Sequence, residues 1–256
     1  MFGVVPKTLW SKYQASDELN RIEAGFNCFV VEDGTRRVLI ETGGGVRHDS
    51  RALERMRMPH GGVPAFQALA NCGFPPESID FVINTHLHWD HCGGNTVGEG
   101  DGAVAAFPKA RYVTQRGELM HGREQHSRDA VSYRAVNYEP LLEAGQLQLL
   151  DGDVEVAPGI QVQVMPGHNR DMMVVLVRSR GETWCHLADL APYAAHITPT
   201  WVAAFDLFPM ETIQSKDELF GRAAVEGWWC SFGHDPAVSF ARVVSNDGKF
   251  SISGAR

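Results

Sequence analysis

No run of 18 or more apolar residues occurs anywhere in the chain, so neither a membrane span nor a membrane partner is expected. The opening Met1-Phe2-Gly3-Val4-Val5-Pro6-Lys7 lacks the charged-then-apolar plan of a secretory signal. Cysteine is scarce: Cys28, Cys72, Cys92, Cys185 and Cys230 are odd in number, far apart and never spaced C-x-x-C. That pattern fits reduced thiols in a cytoplasm rather than a disulfide framework, and it leaves any metal to His and carboxylate ligands. Basic residues are outnumbered, 23 Lys and Arg against 31 Asp and Glu, giving a net charge of −8. A nucleic-acid partner is therefore not expected. Internal repeats, low-complexity tracts and linker-like composition are also missing, so residues 1–256 are expected to form a single domain.

Histidine is what the chain has in excess, 11 residues with several set close together. Around them the middle of the chain alternates short apolar runs with Gly, Pro and Asp. Phe26–Val31 and Arg37–Glu41, separated by Asp33-Gly34, predict a hairpin. Residues 43–62 read as irregular, Val63–Cys72 as a helix, and Ile79–Asn84 as a buried strand. Further strands are predicted at Arg111–Thr114, Leu147–Leu150, Ile160–Met165, Met173–Arg178, Thr183–Leu187, Trp228–Phe232 and Phe240–Val244. Helical stretches are predicted over Arg116–Tyr138 and Thr212–Glu226, the second stopped by Gly227. This order suggests an α/β chain of two halves, sheet on sheet.

The strand ending at Asn84 runs into Thr85-His86-Leu87-His88-Trp89-Asp90-His91. Extended geometry would put His86, His88 and Asp90 on one side, with His91 turning in behind them. Chance assembly of H-x-H-x-D-H at this composition is on the order of 10⁻³. Four such groups buried together need partners, and a metal supplies them. Three more candidates follow apolar runs: His168 in Pro166-Gly167-His168, Asp189 in Leu187-Ala188-Asp189, and His234 in Gly233-His234-Asp235. His48, His60, His121, His126 and His186 show no such pattern and read as structural or surface residues.

With these motifs the sequence resembles the metallo-β-lactamase superfamily of hydrolases. The resemblance implies an αββα sandwich of two mixed β-sheets flanked by helices, with two divalent metal ions. Carried over by motif, His86, His88 and His168 would bind the first ion, Asp90, His91 and His234 the second, and Asp189 would bridge them. A closer likeness is to YtnP-like quorum-quenching lactonases. It rests on Phe2-Gly3-Val4-Val5-Pro6-Lys7, Leu9-Trp10-Ser11-Lys12, Ala188-Asp189-Leu190, Pro192, His196, Trp201 and Pro209-Met210. In that group Phe2–Pro6 follows an opening β-hairpin, and this chain is expected to lack it. Glu41 stands where the superfamily usually has Asp, a longer arm expected to shift the support of the ligand histidines.

The expected chemistry is attack of a metal-bridging hydroxide on an ester or lactone carbonyl. The expected reaction is opening of an N-acyl-homoserine lactone. Asp90 would pass a proton to the leaving alkoxide, and Tyr193 or His196 would hydrogen-bond the carbonyl oxygen. Phe2, Trp10, Trp201, Phe205 and Phe208 read either as core or as an apolar slot for an acyl chain. Zinc leads the expected metals, with manganese, iron or cobalt also compatible with the ligand set. Organophosphate triester or aryl ester hydrolysis suits the same site, and a non-catalytic metal-stabilised binding domain is the reading from another class. A small-molecule substrate and a monomer or homodimer complete the expectations.

Overall fold

The computed structural model describes residues 1–58, 63–98 and 100–256. His60 lies outside the described residues. The chain divides into two compact units: unit I is Cys28–Asp151, and unit II is Met1–Asn27 together with Gly152–Arg256. Unit II opens with the short helix α1 (Lys7–Trp10).

Unit I contains β1 (Phe29–Glu32), β2 (Arg37–Ile40), α2 (Ser50–Met56), α3 (Ala65–Asn71), β3 (Phe81–Ile83), α4 (Trp89–Cys92), β4 (Thr96–Val97) and β5 (Val104–Ala105). It continues with β6 (Arg111–Gln115), α5 (Arg116–Glu124), α6 (Glu139–Glu143) and β7 (Leu147–Leu150). Its main sheet has the order β1-β2-β3-β6-β7. The first pair is the predicted antiparallel hairpin, whose turn Asp33 caps by accepting from the Thr35 and Arg36 amides. The other pairings are parallel. A parallel sheet is covered on both faces, which explains why Val38, Leu39, Ile40, Val82, Ile83, Tyr112 and Val113 are all buried. Leu87, Phe107, Leu119, Tyr138 and Leu141 complete this core.

Unit II continues with β8 (Val154–Ala157), β9 (Ile160–Val164), β10 (Met173–Ser179), β11 (Glu182–His186), α7 (Pro209–Glu226), β12 (Trp229–Ser231), β13 (Phe240–Asn246) and β14 (Lys249–Ser253). The sheet order is β14-β13-β12-β11-β10-β9-β8, antiparallel except where β11 meets β12. A parallel pair needs a long crossover, and α7 lies within it. Leu219, Phe220 and Ala223 of α7 are buried with Leu176, Leu187, Trp228 and Phe232 of the same unit. Each large apolar side chain buried this way stabilises by about 1.5–3 kcal/mol.

The structure corrects several boundaries. Helix α7 begins at Pro209 rather than Thr212, because proline's fixed φ and missing N–H suit the first helical turn. Of the predicted 116–138 helix only Arg116–Glu124 is α-helical, with single 3-10 turns at Ala130–Ser132 and Ala135–Asn137. Gln125 turns left-handed at φ 50°, and the rest unwinds as Asp129 and Tyr133 bond inward. Within the stretch read as irregular, Asp49 accepts from the Ala52 amide at 2.7 Å and starts α2, an N-cap signal legible in the sequence. Strands β8 and β14 were not expected. Among the described residues no helix is long and apolar enough to cross a membrane.

Candidate metal-ligand sets

In unit I, β3 delivers His86, which is wholly buried, and His88 and His91 are nearly so. The expected one-sided extended array stops at His88, which is the N-cap of α4. Asp90 and His91 instead share one helical turn. Ligand-capable atoms of His86 and His88 lie within 4.8 Å of one another, as do those of His86 and His91, and of Asp90 and His91. Two glycines permit this turn. A Cβ on Gly93 would stand 2.3 Å from the Gly44 carbonyl, and one on Gly94 would stand 2.3 Å from that of Thr42. The close approach lets the Thr42 amide donate to the His91 carbonyl at 2.9 Å.

Glu41 supports two of these rings. Buried and left-handed at φ 63°, it accepts from the Thr85 amide at 3.1 Å and from the Thr85 hydroxyl, and its Oε1 lies 3.5 Å from His91 Nδ1. Thr85 Oγ1 is 3.1 Å from His86 Nδ1. Because Thr85 spends its one proton on Glu41, His86 Nδ1 must be the donor, and Nε2 carries that ring's lone pair. The longer Glu arm thus spans Thr85 and His91 together.

His88 is oriented differently. Its Nε2 is 4.0 Å from Asp129 Oδ2, and its ring stands edge-on to Tyr133 at 4.7 Å. Asp129 Oδ2 is also 2.8 Å from His121 Nε2. Burial raises the Asp129 pKa, but bonding and charge from His88 and His121 outweigh it and hold the group at about 2. Glu118 accepts from the Leu87 amide at 2.9 Å and from Tyr133 OH at 2.7 Å, and burial raises its pKa. His121, read from sequence as structural or surface, is therefore a partner of this cluster. Glu118, Asp129 and Tyr133 were missed, and no spacing pattern in the sequence marks them.

In unit II, Gly167 places His168. A Cβ there would meet Thr212 Oγ1 at 2.4 Å and Thr212 Cα at 2.5 Å, so only glycine lets the loop lie against α7. His168 Nδ1 is 3.1 Å from Asp206 Oδ1, while Asp206 Oδ2 accepts from Ala203 N and Thr212 Oγ1, both at 3.1 Å. Sequence reasoning missed Asp206 because nothing marks it locally. Asp189 follows β11 on the tight turn Ala188–Leu190, and His234 follows β12. His234 Nδ1 donates to the Gly25 carbonyl at 2.8 Å, and Gly25 N returns a bond to the His234 carbonyl at 2.9 Å.

The Asp189 carboxylate faces both rings. Its Oδ2 is 3.4 Å from His168 Nε2 and its Oδ1 is 3.1 Å from His234 Nε2. A carbonyl cannot donate, so His234 Nδ1 must carry the proton toward Gly25. Its Nε2 is the nitrogen left to face the carboxylate. His168 repeats the arrangement through Asp206. Two ring nitrogens thus converge on one buried carboxylate, a mixed imidazole and carboxylate set of the kind that holds a divalent cation.

The two other expected catalytic side chains are engaged differently. Tyr193 is wholly buried and its OH donates to the Glu23 carbonyl at 2.9 Å, so its proton serves the irregular segment that leads to Gly25. His196 stacks on Phe2 at 4.8 Å, and its Nε2 donates to the Met1 carbonyl at 3.3 Å. Burial, then the charge of Lys216, pushes its pKa down to about 3, so the ring is neutral at ordinary pH. Phe2 and Trp10 are likewise core, stacked at 5.2 Å, whereas Phe205 is exposed. Cys92 is a buried free thiol that donates to the Leu87 carbonyl at 3.3 Å.

Comparison with known proteins fits these donor sets. An N-acyl homoserine lactonase of a Bacillus species is 31% identical over 111 residues, covering 43% of this chain and 38% of that protein's length. The crystal structure of a probable metal-dependent hydrolase from Staphylococcus aureus superposes with a TM-score of 0.90 at 29% identity, over 100% of this chain and 90% of that one. AidC, a dizinc quorum-quenching lactonase, shares the fold at TM-score 0.72 and 18% identity, over 90% of this chain and 79% of its own. The Metallo-beta-lactamase superfamily model matches residues 25–234, a span that contains all seven candidate ligands. The chain belongs to the metallo-β-lactamase superfamily.

Proposed function

We propose that this protein is a metal-dependent hydrolase that opens a lactone ring, with N-acyl-homoserine lactones as the substrate class. The observation that carries it is Asp189, whose two carboxylate oxygens lie 3.4 Å and 3.1 Å from Nε2 of two different buried histidines. Divalent cations satisfy such a donor set, and its mixed imidazole and carboxylate character suits zinc. We assign His86, His88 and His168 to one ion, Asp90, His91 and His234 to a second, and Asp189 to both. When bound, the pair supplies Lewis acidity and an activated water. The lactone class is supported by the relatives named N-acyl homoserine lactonase.

The side chains of the protein have separable tasks in this reading. Asp206 and the Gly25 carbonyl fix His168 and His234 by Nδ1, so those rings present Nε2. Glu41 does the same for His91 and, through Thr85, for His86. Asp90, in the first turn of α4, would take up the proton that the attacking water releases and pass it to the ring oxygen as the ester bond breaks. Tyr193 steadies the Glu23–Gly25 segment behind His234.

Turnover of N-hexanoyl-homoserine lactone and of a phosphotriester is measured side by side, on chelator-stripped protein and after adding zinc. Lactone hydrolysis that zinc restores supports the proposal. A lactone rate no better than buffer with free zinc sinks it, and phosphotriester turnover alone moves the same site to phosphoryl chemistry. His88→Ala is expected to abolish turnover with the fold retained; no turnover of either substrate by wild type, with metal-dependent stability that His88→Ala lowers, would mean a metal-stabilised binding domain instead.

A further inference from the structure

Of the five candidate ligand histidines, four have Nδ1 against a partner: His86 with Thr85, His91 with Glu41, His168 with Asp206 and His234 with Gly25. His88 is the exception, since the nitrogen facing its carboxylate neighbour Asp129 is Nε2. Its support comes from Glu118, His121, Asp129 and Tyr133, all of which follow the histidine motif in the chain. Asp129 is buried with its Oδ2 shared between His88 at 4.0 Å and His121 at 2.8 Å. Tyr133 lies edge-on to both rings, 4.7 Å from His88 and 5.5 Å from His121. On the backbone side, Glu118 holds the amide of Leu87, the residue between His86 and His88.

We infer that Asp129 and His121 form a positioning pair that turns His88 Nε2 inward, makes Nδ1 its ligating atom, and sets the affinity of the one metal position that His88 serves. This rests on the metal reading above and goes beyond it, because neither residue belongs to the assigned ligand set. An imidazole whose second nitrogen faces a carboxylate is a more basic ligand, and loss of such a partner typically weakens metal binding about 10–100-fold. His121 is about a quarter exposed, so its role is to hold Asp129 in place. The effect is asymmetric: the other metal position draws on rings with their own supports.

The test is a chelator competition that titrates both zinc ions from the purified protein, repeated with cobalt and read by its visible absorption. Wild type is expected to hold two ions. Asp129→Asn is expected to weaken one ion about 10–100-fold and leave the other unchanged. His121→Ala should do so more mildly, and His121→Gln, which keeps an N–H donor, should restore most of the affinity. Thermal unfolding of the stripped proteins separates positioning from folding: the variants should match wild type without metal and gain less on adding it. Two ions held at wild-type affinity by Asp129→Asn would overturn the inference, and so would equal loss of both ions with a less stable stripped protein. Should Asp129→Asn fail to fold, unchanged affinities in His121→Ala overturn it. A wild-type protein that binds no metal overturns the underlying metal reading instead.

Discussion

Lys216 offers the sharpest quantitative test of the unit II interior. It is wholly buried on α7, and its Nζ donates to the Trp201 carbonyl at 2.6 Å. Burial lowers its pKa from 10.5 to about 7, with Asp206 opposing that shift. The same loop carries Asp206, the partner of His168. The sign follows from proton binding. Between pH 7 and 10.5 the unfolded chain keeps a proton at this lysine that the folded chain has released, so stability rises with pH in that window. The slope approaches about 1.4 kcal/mol per pH unit. Between pH 7 and 9 the gain is about 2 kcal/mol, and below pH 7 both states are protonated and the full cost is present. Lys216→Met removes this titration. It also strands the Trp201 carbonyl, a penalty of about 1–3 kcal/mol that does not vary with pH and cancels between pH values. His196, at about 3, stays neutral throughout. Urea unfolding of both proteins at pH 7, 8 and 9, with chelator present to remove metal linkage, measures the difference. Wild type should gain about 2 kcal/mol on Lys216→Met across this range. A difference constant within about 0.5 kcal/mol would refute the buried neutral amine.

Three further outcomes are expected. Gly167→Ala forces a Cβ into the backbone of Thr212, so unfolding free energy should fall by about 2–4 kcal/mol; a loss under about 1 kcal/mol means the loop can move away from α7. Glu41→Gln keeps the shape but removes the charge beside His91 and the Thr85 hydroxyl, and should cost about 1–2 kcal/mol in denaturant titration with weaker metal retention. Tyr193→Phe deletes the bond to the Glu23 carbonyl, and lactone kcat/KM is expected to fall less than about tenfold. A drop near a thousandfold would put that hydroxyl on the substrate.

The sequence by itself determined the donor types, because H-x-H-x-D-H, Gly167-His168, Ala188-Asp189 and Gly233-His234 are local patterns that chance composition does not supply. It also determined most strands, since Val38, Leu39 and Ile40 of β2 and Phe81–Ile83 of β3, a buried parallel pair, read as short unbroken apolar runs. Edge strands β8 and β14 escaped because their residues alternate between partly buried and exposed. What only the tertiary structure decided is which ring nitrogen each histidine presents. That depends on partners far away in sequence: Asp206 lies 38 residues from His168, and Gly25 lies 209 from His234. Local spacing carries no information about such contacts. The same reason hid the contacts of Tyr193 with the Glu23 carbonyl and of His196 with the Phe2 ring. A residue's chemistry is written in its own side chain, whereas its proton and lone pair are assigned by whatever the fold brings against it.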